Sequence, residues 1–283
     1  MLNKIENKIQ SILLVLIAIV FILFNNINTV HANTPPHEDA VPGGIAIINL
    51  KLNVDQTLPY VTFNKKRVMV QKSNNAWHAV VGLPLNTKAG RHFIKIKSTG
   101  KKIFFNVKSK KYKTQYLTIK NKRKVNPNKK DIARIIKEKK VFASVFKSWR
   151  EIDNVNTHFS KPVDGPFSSP FGLKRFFNKQ PRRPHSGLDI AASEGTTISA
   201  PAAGIVSNTG DYFFNGQSVF IDHGQGLISM YCHMSKISVK AGQQVKQGEK
   251  IGEVGMTGRV TGPHLHWSVN LNNTRIDPVL FLK

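Results

Sequence analysis

His264 and His266 stand two apart in His264-Leu265-His266-Trp267, and Trp267 and Val269 give this segment the composition of a β-strand. Side chains alternate faces along a strand, so both imidazoles project to one spot while Leu265 enters the opposite face. Alone, a His-x-His pair is weak evidence, because packing and surface histidines also occur at that spacing. His185 and Asp189 add a second requirement. Four extended residues span about 13 Å, too far for two side chains to share an ion comfortably. Gly187 offers a bend that brings them together, and Pro184 and Gly187 argue against the helix that would also suit the spacing. Two imidazoles and a carboxylate are good donors for Zn2+, and three protein ligands leave a fourth position open for water. A closed structural site uses four ligands, often thiolates, and Cys232 is the only cysteine of the chain.

A Tyr231-Cys232-His233 element lies between these two groups. The order HxxxD, YxH, HxH resembles the lysostaphin-type (LytM-like) zinc metallopeptidases. The flanks are similar to that family's framework as well: Ser169-Pro170-Phe171-Gly172, Pro201-Ala202-Ala203-Gly204, Ile221-Asp222-His223-Gly224 and the run Gly258 to His264. The match covers residues 166–282, under half of the chain, and departs only slightly, at Cys232 and Met234.

The resemblance implies that His185, Asp189 and His266 bind one zinc ion per chain, and that His233 and His264 act on the water or the transition state. It also implies the substrate, since the family cleaves peptide cross-links of bacterial peptidoglycan. The expected function is a zinc metalloendopeptidase that hydrolyses cross-links or stem peptides through a zinc-activated water, whose pKa falls from about 15.7 to about 7. His264 is the expected general base and His233 the oxyanion stabiliser, with the reverse assignment open. A non-catalytic relative that activates other wall hydrolases is the alternative; the presence of all five polar residues favours the enzyme.

Other residues have plainer readings. His223 in its Asp-His-Gly turn reads as structural, and His31, His37, His78, His92 and His158 are scattered. Arg175, Arg182 and Arg183 fit either substrate carboxylates or a solvated basic loop. Tyr231 and Trp267 read as packing. Lys240 to Gly252 is similar to lipoyl or biotinyl carriers, but neither Lys246 nor Lys250 has a carrier lysine's setting.

The elements that must position these residues read as mainly β. Residues 159–283 alternate short strand-like runs with Gly turns, the pattern of a compact antiparallel β-sheet peptidase domain. Residues 45–120 read as a small β-sandwich-like domain, with turns at Asn53-Val54-Asp55, Ser73-Asn74-Asn75 and Ser98-Thr99-Gly100. Residues 121–158 form a basic linker with a helix from Lys129 to about Trp149, capped by Asn128 with Asp131 in its first turn. Its apolar positions are Ile132, Ile135, Ile136, Val141, Phe142 and Phe146. Residues 33–44 read as a linker.

Residues 1–32 have the layout of a signal peptide: Lys4 and Lys8, an apolar run from Ser11 to Phe24, then Val30-His31-Ala32. That run is short of the roughly 20 residues a bilayer span needs. The expected location is therefore outside the cytoplasm, in the periplasm or the cell wall. The formal net charge of +26 draws the chain toward polyanions. Export and the lack of a nucleic-acid motif set DNA and RNA aside. Peptidoglycan carboxylates and a peripheral association with the envelope remain.

Overall fold

The computed structural model describes residues 35–54 and 57–282, so the signal-peptide reading, the start of the 33–44 linker and Asp55 lie outside the described residues. The chain is mainly β, as its alternation predicts. In the N-terminal part, Ile45–Asn53, Ala76–Gly82 and Met69–Ser73 make one antiparallel sheet, and Lys66–Arg67, Val61–Phe63, Gly90–Ile96 and Lys102–Val107 make another. Leu50, Val61, Trp77, Val81 and Ile94 fill the space between them. Asn74 and Asn75, both at left-handed φ (48° and 55°), turn the hairpin between Met69–Ser73 and Ala76–Gly82.

The other face of the first sheet is buried too. Ile45, Met69 and Val80 belong to the same core as Leu271, Ile276 and Phe281 of the C-terminal part. Alternation along Ala76–Gly82 thus feeds two cores at once. Each large apolar side chain buried there contributes roughly 1.5–3 kcal/mol.

The C-terminal part is a ten-stranded sheet. At its centre Gly216–Gly224, Leu227–Ile237, His264–Leu271 and Leu188–Ala191 run antiparallel side by side. The helix, Lys129–Lys147, begins with a capping box: Asn128 accepts from the Asp131 N–H and Asp131 from the Asn128 N–H. Val145 and Phe146 pack on Phe220, Ile228 and Met230 of the sheet. Ile132, Ile136 and Val141, expected on the packed face, are exposed instead, and Ile135 and Val145 take the inward positions. The basic stretch 108–124 differs more. Within it Thr114–Leu117 is a strand that pairs in parallel with Lys174–Phe177 in a separate three-stranded sheet, so a segment read as the end of the N-terminal domain is joined to the C-terminal part.

His223 is structural in its contacts. Its Nδ1–H donates to the Ala203 carbonyl (2.8 Å), which leaves Nε2 to accept from the Ser229 hydroxyl (2.7 Å), itself 2.7 Å from the Tyr231 hydroxyl. Burial pushes the ring down to about 4 against an ordinary 6.5; the Ala203 carbonyl opposes this and Arg150 adds to it. Between these values the unfolded ring is protonated and the folded one is not. The stability present above pH 6.5 is therefore lost as pH falls toward 4, by roughly 3 kcal/mol for this group. Urea unfolding at pH 7.5 and 4.5 is expected to show that loss in the native chain and a visibly smaller one in His223→Gln.

Candidate metal centre

Strand register assembles the centre. His264–Leu271 pairs with Leu188–Ala191 so that His266 lies opposite Asp189 and His264 opposite Ala191. On its other side it pairs with Leu227–Ile237, with His266 opposite Cys232. Leu265 and Trp267 are fully buried, so the alternation that sends them into the core sends His264 and His266 to the other face. His185 comes in just before the strand that carries Asp189. At Gly187, between them, a Cβ would lie 2.5 Å from both Ser268 Oγ and the Trp267 carbonyl. What Gly187 supplies is room for one chain to lie against the next; its φ is not left-handed.

Asp189 Oδ1 lies 2.7 Å from His266 Nδ1 and 3.0 Å from His185 Nε2, and those two nitrogens are 3.0 Å apart. The outer contacts fix which atoms carry protons. His185 Nδ1–H donates to the Pro170 carbonyl at 2.8 Å, so its Nε2 bears a lone pair. Ser268 donates its hydroxyl proton to the Ser186 carbonyl (3.0 Å), so it accepts from His266 Nε2–H (3.0 Å) and leaves a lone pair on His266 Nδ1. Burial pushes His266 down to about 4, consistent with a neutral ring. Two lone pairs and a carboxylate oxygen therefore face one another, buried, with no proton between them. Such a set suits a cation, and its chemistry, two nitrogens and one oxygen with a free side, fits zinc.

Arg175 was open between substrate contact and a solvated loop; it points to the centre. Its Nη2 donates to Asp189 Oδ2 at 2.8 Å, giving the carboxylate a fixed counter-charge. Gln115, from the strand that the basic composition concealed, accepts from Arg175 Nε (3.1 Å) and donates to Ser169 Oγ (2.7 Å). Partners of this kind orient a ligand, and their loss typically lowers metal affinity 10–100-fold. Arg175→Met is expected to weaken zinc binding by that factor in a chelator competition, while His185→Ala weakens it far more.

His233 and His264 flank the open side. His233 has φ 65°, left-handed for a residue with a Cβ, and sits where the pairing of Leu227–Ile237 with Gly216–Gly224 slips register. The strain turns its ring toward His264, at 4.9 Å between centroids. Its Nδ1–H donates to the Thr257 carbonyl (2.8 Å), and His264 Nδ1–H donates to the Gly262 carbonyl (2.8 Å). In the neutral rings both Nε2 atoms are thus acceptors. His264 Nε2 is 4.0 Å from Asp189 Oδ1. Burial first, then His264 and His266, hold His233 well below the ordinary histidine range.

All five residues line one cavity of about 720 Å³. Its other wall is built by Gln115, Leu117, Val125, Ile135 and Phe142, none of which sequence reading had assigned to the site. The only local signal was the β-former Tyr116 with Leu117 inside the lysine-rich run. Arg182 and Arg183 line the same cavity.

Comparison with known proteins gives two family matches. The model of peptidase family M23 matches residues 183–278, and that of the peptidase family M23 N-terminal domain matches residues 38–110. A solved structure of a peptidase M23 from Pseudomonas aeruginosa is 43% identical, with a TM-score of 0.73, over 86% of this chain and 95% of that one. A metalloprotease of Haemophilus influenzae is 42% identical over 114 residues, 40% of this chain and 24% of its own. Peptidoglycan DD-endopeptidase ShyA of Vibrio cholerae is 40% identical over 121 residues, 41% of this chain and 28% of its own. The chain thus spans about a quarter of the length of these two relatives.

Proposed function

The chain belongs to peptidase family M23, a family of metallopeptidases, and we propose that it is a zinc-dependent endopeptidase cutting peptide bonds of bacterial peptidoglycan. The observation that carries this reading is the buried trio of proton-free donors, His185 Nε2, His266 Nδ1 and Asp189 Oδ1. These three would hold the ion. When bound, zinc supplies Lewis acidity toward the scissile carbonyl and lowers the pKa of water to about 7.

The remaining work belongs to the chain. His264, acting through Nε2, takes the proton of the attacking water and returns it to the leaving amine, so that water and peptide become a carboxylic acid and an amine. His233 stabilises the developing oxyanion; this requires a proton on its Nε2, because Nδ1–H is engaged by Thr257. Burial and the neighbouring His264 and His266 oppose that proton, so His233 is neutral at rest and equally suited to accept one, and the two rings can exchange roles. The similarity to a peptidoglycan DD-endopeptidase supports the substrate and, with it, a place of action in the envelope. No helix of the described residues is long and apolar enough to cross a membrane.

The test is digestion of purified sacculi by the zinc-loaded protein, with fragments identified by mass spectrometry. Conversion of cross-linked fragments to monomers, stopped by a chelator and restored by zinc, is the expected result. Intact cross-links and stem peptides after prolonged digestion would refute the reading.

A further inference from the structure

The cavity beside the metal centre is short of negative charge. Among the described residues only two carboxylates line it, and both are engaged: Asp189 with Arg175, and Glu138 with Arg134 (2.6 Å) and the Phe213 N–H (3.0 Å). Arg182 donates only to neutral acceptors, Gln180 Oε1 (2.5 Å), the carbonyls of Pro181 (2.9 Å) and Val125 (3.0 Å), and Asn126 Oδ1 (3.4 Å).

Arg259 also has no anionic partner. Its guanidinium lies over the rings of Phe177 (4.6 Å) and Phe214 (4.4 Å), and its one hydrogen bond from the side chain reaches the Lys124 carbonyl at 3.5 Å. Burial, and then the charges of Arg175 and Arg182, push it down to about 10. A half-buried cation among cations is unfavourable unless an anion joins it. Ring stacking leaves the donors, which lie in the guanidinium plane, for a planar two-oxygen acceptor.

The position is fixed relative to the catalytic pair. Arg259 N donates to the Phe214 carbonyl (2.9 Å), and a Cβ on neighbouring Gly258 would lie 2.5 Å from Gly216 N. Thr257, two residues earlier, is the acceptor that holds His233.

We propose that Arg259 is a carboxylate-recognition site of the groove, which binds an ionised carboxylate of the peptide whose bond is cut. The assignment rests on the peptidase reading and deepens it: the substrate is an acidic peptide, and its charge is read beside the reacting bond. Charge-assisted hydrogen bonds of this kind correspond to roughly tenfold to hundredfold in affinity.

The experiment uses two matched cross-linked muropeptides, one with its free carboxylate and one amidated at that carboxylate, and the zinc-loaded full chain. Wild type is expected to favour the acid at least tenfold in kcat/KM. Arg259→Met is expected to lose that preference with zinc content unchanged, and Arg259→Lys, which keeps the charge without the fork, to retain part of it. Equal cleavage of both peptides by wild type, or an undiminished preference in Arg259→Met, would overturn the proposal. If Arg259→Met does not fold, Arg259→Lys decides, since a full wild-type preference in it contradicts a fork-dependent site. Cleavage of neither peptide by wild type would count against the peptidase reading. Calorimetric binding of the same two peptides then decides separately for Arg259: tighter acid binding that is lost in Arg259→Met supports it, and equal binding overturns it.

Discussion

Asp189→Ala is expected to abolish zinc uptake and hydrolysis together. Asp189 is the only anionic donor of the trio, and its second oxygen is the counter-charge of Arg175. Its removal leaves a guanidinium facing two imidazole lone pairs, an arrangement that repels a divalent cation. Breaking a buried ion pair by deleting one partner costs about 3–5 kcal/mol, so the variant is also expected to melt earlier than the zinc-free native chain. The decisive readings are zinc per chain after dialysis and release of muropeptides from sacculi. Native zinc content in folded Asp189→Ala would exclude Asp189 as a ligand.

His264→Ala separates binding from chemistry. His264 is held by the Gly262 carbonyl through Nδ1 and reaches into the open side of the centre, while the three donors do not depend on it. Loss of a positioned general base lowers rates by roughly 10²–10⁴-fold. The variant is expected to bind zinc like the native chain and to show that fall in kcat with little change in KM. His233→Ala is expected to behave similarly, because water attack and oxyanion stabilisation are both needed in one transition state. A near-native kcat for either variant, with one zinc per chain, would remove that histidine from the mechanism.

The parts of this site legible in sequence are those set by local geometry. His264 and His266 share a face because strand side chains alternate, and the flanking Leu265 and Trp267 are buried on the other face accordingly. Asn128 was legible as a helix cap for the same reason: its partner, Asp131, is three residues away. What escaped depends on pairing between distant segments. The register that sets Asp189 opposite His266 joins strands 77 residues apart, and nothing local encodes it. Gly187 was legible as special, but the reason is the closeness of Trp267 and Ser268, visible only once the strands are paired. Thr114–Leu117 escaped because a short strand inside a lysine-rich run has the composition of a solvated linker, and with it went the link from Gln115 to Arg175. The helix periodicity misled at Ile132 and Ile136, which are exposed, while the apolar side chains packed on the sheet, Phe142, Val145 and Phe146, come from the C-terminal half of the helix.

X-ray absorption at the zinc edge, on the full chain purified without added metal chelator, tests the centre most directly. The expected spectrum has one zinc per chain with two imidazole nitrogens at roughly 2.0–2.1 Å and light oxygen neighbours at roughly 2.0–2.2 Å, without sulfur. A sulfur neighbour at roughly 2.3 Å, which only Cys232 or a methionine could supply, would contradict the assignment, as would a protein that takes up no zinc when offered it.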